Sequence, residues 1–165
     1  MGVIAMSDSL ATYLHDHLAG SHFAIELTET LRRQHAHEPL RDFVSALLVE
    51  IKEDQNVLQQ LINRVGSHGS VFKETTAWIA EKVGRFKLTL SSSGDLGTFE
   101  ALEALGLGLL GKRALWRALS LLAPSDSRVS GPDYASLIAR AEDQHARVEE
   151  RRLQFASRSL QPASQ

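Results

Sequence analysis

Residues 39–65 read PLRDFVSALLVEIKEDQNVLQQLINRV. Leu40, Val44, Leu47, Ile51, Leu58, Leu61 and Val65 recur every three or four positions, the period that keeps side chains on one stripe of an α-helix. One member of the stripe is not apolar: Asp54 stands where the spacing asks for a core residue. Pro39 suits a first helical turn, where its missing N–H leaves nothing unpaired. Gly66 suits the position just past a last turn. The stretch therefore predicts an amphipathic helix over 39–65 that carries a carboxylate in its buried seam.

The same period continues on both sides. It predicts a first helix over about residues 8–36 and an amphipathic segment over about 71–90. That segment carries Phe72, Ile79, Val83, Phe86 and Leu90 at helical spacing. A further helix is expected over about 95–123, stopped by Pro124, and a last one up to about residue 157. Ser130-Gly131-Pro132-Asp133 reads as a capping box with proline inside it. The run Ser91-Ser92-Ser93 followed by Gly94 is expected to break the chain. Apolar residues nowhere alternate for long, so no strand is predicted.

Composition narrows the class further. A chain of 165 residues suits one domain, 1–165, with a real core. The ends, 1–7 and 159–165, are expected to fray. Hydrophobic content of 43% and charged content of 23% are ordinary for a globular protein. A net charge of −2 gives no electrostatic reason to expect nucleic acid or an anionic membrane as partner. With no cysteine, disulfides and thiolate zinc sites are excluded. Residues 1–7 lack the basic start of a signal peptide. The most apolar stretch, 104–111, is far too short to span a bilayer and is bracketed by Glu100, Glu103, Lys112 and Arg113. A cytoplasmic protein is the expectation.

Connection lengths suggest the topology. A very short turn joins the first two helices and about seven residues join the last two, so each pair should form an antiparallel hairpin. About thirty residues, including Trp78, lie between the hairpins and can travel the length of a bundle. In helix number, helix length and this crossover the chain resembles the ferritin-like superfamily. More narrowly, Asp16-His17-Leu18-Ala19-Gly20, Glu50-Ile51-Lys52-Glu53-Asp54 and Gly111-Lys112-Arg113-Ala114-Leu115-Trp116 resemble an uncharacterised bacterial branch of it. The resemblance covers nearly the whole chain. It implies an all-α fold: a ferritin-like four-helix bundle with an additional amphipathic helix in the crossover between helices 2 and 3.

Di-metal carboxylate bundles of this kind take one Glu from each of two helices and Glu-x-x-His from the other two. Carboxylate oxygens and imidazole suit iron or manganese, and i,i+3 spacing puts both ligands on one face. The chain offers Glu142-x-x-His145, Glu50-x-x-Glu53 and Glu26. A Glu-x-x-His match arises by chance about half a time in such a chain, so the motif is weakly specific. The ligands also fall on the wrong faces. Glu26 lies almost opposite the first seam (Leu10, Leu14, His17, Ser21, Ala24, Thr28, Leu31, His35), and Glu53 points away from the second. Where the 95–123 helix should supply a ligand, it has Gly106, Gly108 and Gly111; Glu100 and Glu103 lie roughly a turn or two off.

The seams bring a different set together. The fourth long helix presents Thr98, Leu102, Leu105, Leu109, Lys112, Trp116 and Leu119. The last presents Tyr134, Ile138, Ala141, His145, Val148, Arg152 and Phe155. His17, Ser21, Asp54, Lys112 and His145 then fall within about two turns of one level. Buried charges need partners. The expectation is an Asp54–Lys112 ion pair inside the bundle, with His17 and His145 hydrogen-bonded beside it and no metal or other cofactor.

Other signals reduce to structure. Gly106-Leu107-Gly108-Leu109-Leu110-Gly111 matches a dinucleotide loop in letters, but no strand precedes it. Its glycines are expected to admit a neighbouring backbone or the ring of Trp78 or Trp116. His15, His35 and His37 read as solvated. Arg147 to Arg152, interleaved with Glu149 and Glu150, reads as a solvated charged face. Leu107, Leu110, Leu121 and Leu122 leave the 95–123 helix apolar nearly all round, so the crossover helix or a second subunit should cover it. The expected function is that of a non-catalytic structural or partner-binding bundle, associating as a homodimer. The alternative is a di-iron or di-manganese oxidoreductase or iron-handling protein, and a third reading is a small-molecule pocket beside the glycines.

Overall fold

The computed structural model describes residues 8–66 and 71–161. Among them the chain is all-α with no strand: α1 is Ser9–Gln34, α2 Pro39–Val65, α3 Val71–Leu122 and α4 Tyr134–Ser159. Side-chain capping fixes two of the starts. Asp8 accepts a hydrogen bond from the Leu10 backbone N–H at 3.0 Å. Asp133, rather than Ser130, caps α4 by accepting from the Ser136 N–H at 3.1 Å. Gly66 ends α2 with φ 88°, a left-handed value that glycine adopts without strain. The α4 helix continues through Ser159, beyond the predicted limit. The fraying expected of 1–7 and 162–165 lies outside the described residues, as does the side chain of Trp78.

The serine run does not break α3. Helical hydrogen bonding runs through 91–93, and only Gly94 leaves helical geometry, at φ 54° and ψ −125°. A Cβ opposes that conformation, which locates the bend at the one residue without it. α3 is thus two arms, 71–93 and 95–122.

Two apolar clusters show how the helices run. One joins Leu31, Leu40, Leu47, Leu102 and Phe155. The other joins Leu14, Leu61, Leu119 and Leu137. α1 and α4 therefore point one way, and α2 and the second arm of α3 the other. Because these last two are parallel, the chain has to return the full length between them, and the first arm makes that return. On its way Phe86 packs edge-on against Phe23 of α1, ring centres 5.4 Å apart, and Val83 is buried. α1 packs closely on α2 and α3, and α3 on α4. α2 and α4 meet through long side chains, among them Arg151, whose guanidinium lies 5.3 Å from the Phe43 ring centre. α2 and the second arm of α3 accordingly sit on a diagonal. No helix among the described residues is long and apolar enough to cross a membrane.

The seams of α2 and α3 follow the sequence reading. Leu40, Val44, Leu47, Ile51, Asp54, Leu58 and Leu61 are buried, as are Thr98, Leu102, Leu105, Leu109, Trp116 and Leu119. α4 is turned from the predicted face: Leu137 and Gln144 are buried in place of Ile138 and His145. α1 is buried on more than one side, and Leu18 and Ile25 enter the core rather than His17 and Ala24.

Candidate functional site

Between the two apolar clusters lies a polar layer. Asp54 is flanked on α2 by Ile51 of one cluster and Leu58 of the other, and Lys112 on α3 by Leu109 and Leu115. Only 1% of the Asp54 side chain is exposed, and 14% of Lys112. Across the diagonal, Lys112 Nζ donates to Asp54 Oδ2 at 2.5 Å. It also donates to Oε1 of the fully buried Gln144. The Gln144 amide passes the polarity on, its Nε2 donating to Glu50 Oε2 at 2.9 Å.

Arginines of α4 close the layer from outside. Arg140 Nη2 lies 2.6 Å from Asp54 Oδ1, off the direction of an aligned hydrogen bond. Its Nη1 donates to Glu53 at 3.0 Å. Arg147 Nη2 donates to Glu50 at 2.6 Å, and its Nε donates to Asp143 at 2.7 Å. Asp54, Lys112, Glu50, Glu53, Arg140 and Arg147 therefore each have an opposite partner.

Burial pushes the Lys112 ammonium below the usual lysine range, and the adjacent Asp54 carboxylate only partly offsets this. For Glu50 the balance goes the other way. Burial alone would raise it, but hydrogen bonds from Arg147 and Gln144 outweigh burial and hold it below its ordinary 4.5. A carboxylate depressed in the folded state contributes stability that is fully present above its unfolded value and is lost as pH falls. Denaturant midpoints measured from neutral to acid pH should fall below pH 4.5, and less steeply in Glu50→Gln.

Two expected members of the layer are not in it. Hydrogen bonds to the pair come from Gln144 and ionic contact from Arg140, not from His17 or His145. His17 is half-buried, its ring 4.7 Å from that of Tyr13, and burial lowers its pKa against the pull of Asp16. His145 faces Gly106, where an added Cβ would come within 3.8 Å of its ring. Ser21 borders the layer: it donates to the Leu18 carbonyl at 2.7 Å and accepts from Gln55 at 2.9 Å. His35, read as solvated, is buried; it bridges Glu38 at 2.8 Å and Thr98 at 2.9 Å, tying the α1–α2 turn to the second arm of α3.

The metal-ligand set, Glu26, Glu50, Glu53, Glu142 and His145, is not brought together. Among the described residues no three His, Asp or Glu side chains form a group that could hold a metal ion. Glu50 and Glu53 are taken up by arginines, and Glu142 lies 3.7 Å from Arg113 on the surface.

Beside the ion pair is a cavity of about 190 Å³, walled by α1, α2 and the second arm of α3. Asp54, Lys112 and Trp116 line it, and Gly20 and Gly108 are exposed at its edge. Trp116 is 1% exposed, and its indole Nε1 is buried without a hydrogen-bond partner. The glycines do not admit Trp116, nor, at Gly108 and Gly111, any close neighbour: a Cβ added there meets nothing within 4 Å.

Sequence reasoning missed Gln144, Arg140 and Arg147. The available signal was the seven-residue spacing of the two arginines, which places them on one edge of α4 with Gln144 between them. No protein-family model, curated protein or solved structure matches the chain.

Proposed function

We propose that the chain is a ferritin-like bundle that works by association rather than catalysis, its centre held by its own charges in place of a metal. The observation that carries this reading is the Lys112 ammonium, which sits across the bundle diagonal between Asp54 and Gln144. A bound cation there would face this fixed positive charge, and the nearest carboxylates are already neutralised by Lys112, Arg140 and Arg147. The reading carries with it a cytoplasmic setting, in keeping with the absence of cysteine.

Elemental analysis of protein purified with iron and manganese present should find well under one metal per chain, unchanged in Glu142→Ala. Near-stoichiometric metal that Glu142→Ala removes would replace this reading with the di-metal oxidoreductase or iron-handling one.

The partner we propose is a second copy of the chain. Leu107 and Leu121 on α3 are 66% and 81% exposed, with exposed Ala114 midway between them. The seven-residue spacing puts all three on one stripe, and a stripe symmetric about Ala114 pairs with itself around a two-fold axis. Light scattering should give a dimer mass that falls to a monomer in Leu107→Glu/Leu121→Glu. A monomeric parent chain would remove this part of the proposal.

A further inference from the structure

The turn between α1 and α2 is fastened to α3 through one buried histidine. His35 is the C-cap of α1 and Glu38 the N-cap of α2. His35 Nδ1 lies 2.8 Å from Glu38 Oε2, and Nε2 lies 2.9 Å from Thr98 Oγ1. The Thr98 hydroxyl in turn donates to the Gly94 carbonyl at 3.3 Å, at the residue where α3 bends. Counting protons shows which form of the ring these bonds need. A hydroxyl has one proton, and Thr98 gives it to Gly94, so Nε2 must donate to Thr98. An ionised carboxylate only accepts, so Nδ1 must donate to Glu38. Both ring nitrogens then carry a proton, and the ring is an imidazolium. A neutral ring has a single N–H. It either turns a bare nitrogen toward the Glu38 carboxylate, or takes the Thr98 proton and releases the Gly94 carbonyl.

We infer that His35 is a proton-operated latch on the bend of α3: charged, it holds Gly94 through Thr98; neutral, it lets go. The surroundings of the ring bear on this from every side. A cation is favoured at a helix C-terminus and an anion at an N-terminus, and His35 and Glu38 stand at those two ends. Arg32 and Arg33 in the last turn of α1 act against a further positive charge, but Arg33 is drawn back to Thr30 at 3.0 Å. α3 presents the uncharged Thr98. α4 presents Phe155, its ring centre 5.9 Å from that of His35, with the Arg158 guanidinium 5.2 Å from the Phe155 ring centre. Glu38 is the charged group in direct contact. What the latch holds is the first arm of α3, which leaves the bend to lie on α1 at Phe23; acidity therefore sets how firmly that arm is seated.

The test follows ring and bend separately in the intact chain at pH 5 and pH 8, limits between which histidines change charge. At pH 5 the ¹⁵N shifts of His35 should show both ring nitrogens protonated. Amide hydrogen exchange, corrected for the intrinsic effect of pH, should find residues 95–99 about tenfold less protected at pH 8, as the loss of one hydrogen bond implies, while residues 105–119 change little. In His35→Gln, which does not titrate, and in Thr98→Val, which disconnects the ring from the bend, that difference should shrink below about twofold. The Glu50 effect lies at more acid pH and does not enter this window. A ring nitrogen without its proton at pH 5, equal protection of 95–99 at the two pH values, or a tenfold difference that persists in either folded variant would each overturn the proposal. If one variant fails to fold, the other decides together with the parent chain.

Discussion

Lys112→Met should lose about 3–5 kcal/mol of unfolding free energy, the usual cost of removing one partner from a buried ion pair. The variant leaves the Asp54 carboxylate, 1% exposed, without the ammonium at 2.5 Å. It also strips the Gln144 carbonyl of its donor. Arg140, still 2.6 Å from the other Asp54 oxygen, softens the loss and favours the lower end of that range. Adding Asp54→Leu should recover most of the stability, because a buried pair exchanged for apolar residues of similar size is often neutral or better. The remainder should be about 1–3 kcal/mol for the orphaned Gln144 oxygen. Urea denaturation of the two single variants and the double variant closes the cycle. Additive single losses would mean that the pair does not act as a unit.

Trp116→Ala should cost about 3–5 kcal/mol, the range for truncating a fully buried aromatic residue. Trp116 bridges the charged layer and the cluster of Leu14, Leu61, Leu119 and Tyr134, with the Tyr134 ring 6.3 Å away. Trp116→Phe should behave differently. It gives up apolar contact but also removes the unpaired N–H, whose burial costs about 1–3 kcal/mol, so its midpoint should lie near that of the parent chain. A Phe variant as unstable as the Ala variant would mean that the N–H is satisfied in solution.

The two variants probe parts of the structure that were unequally legible in the sequence. α2 was readable residue by residue, because its apolar spacing is regular and a single face is buried; Asp54 stood out as the exception. α3 gave Lys112 in the same way, and the pair followed from bringing the two seams to one level. α4 was ambiguous. Ala141, Val148 and Phe155 fit two faces equally well, and adjacent Leu137 and Ile138 do not choose between them. The face that buries Leu137 also buries Gln144 and moves His145 to the side. α1 misled because it is covered on two sides, by the bundle and by the crossover arm at Phe86; a single-stripe reading cannot represent that. The serines at 91–93 suggested a break, yet helix formation is cooperative and continues until Gly94 makes it stop. The cavity was legible only as three glycines, since a hollow is a property of packing and not of any residue.

The edge between α2 and α4 has a consequence for handling the protein. Three edges of the bundle are closed by backbones packed closely together, whereas this one is spanned by Arg140 and Arg147 reaching partly exposed glutamates. The Debye length shrinks from about 10 Å at 0.1 M salt to about 3 Å at 1 M, and exposed pairs weaken accordingly while apolar contacts do not. Ionic strength therefore acts on this edge before the others. Concentrated salt should loosen the Arg140–Glu53 and Arg147–Glu50 bridges on the outside of this edge, while the buried Arg140–Asp54 and Gln144–Glu50 contacts behind them keep α4 seated on α2.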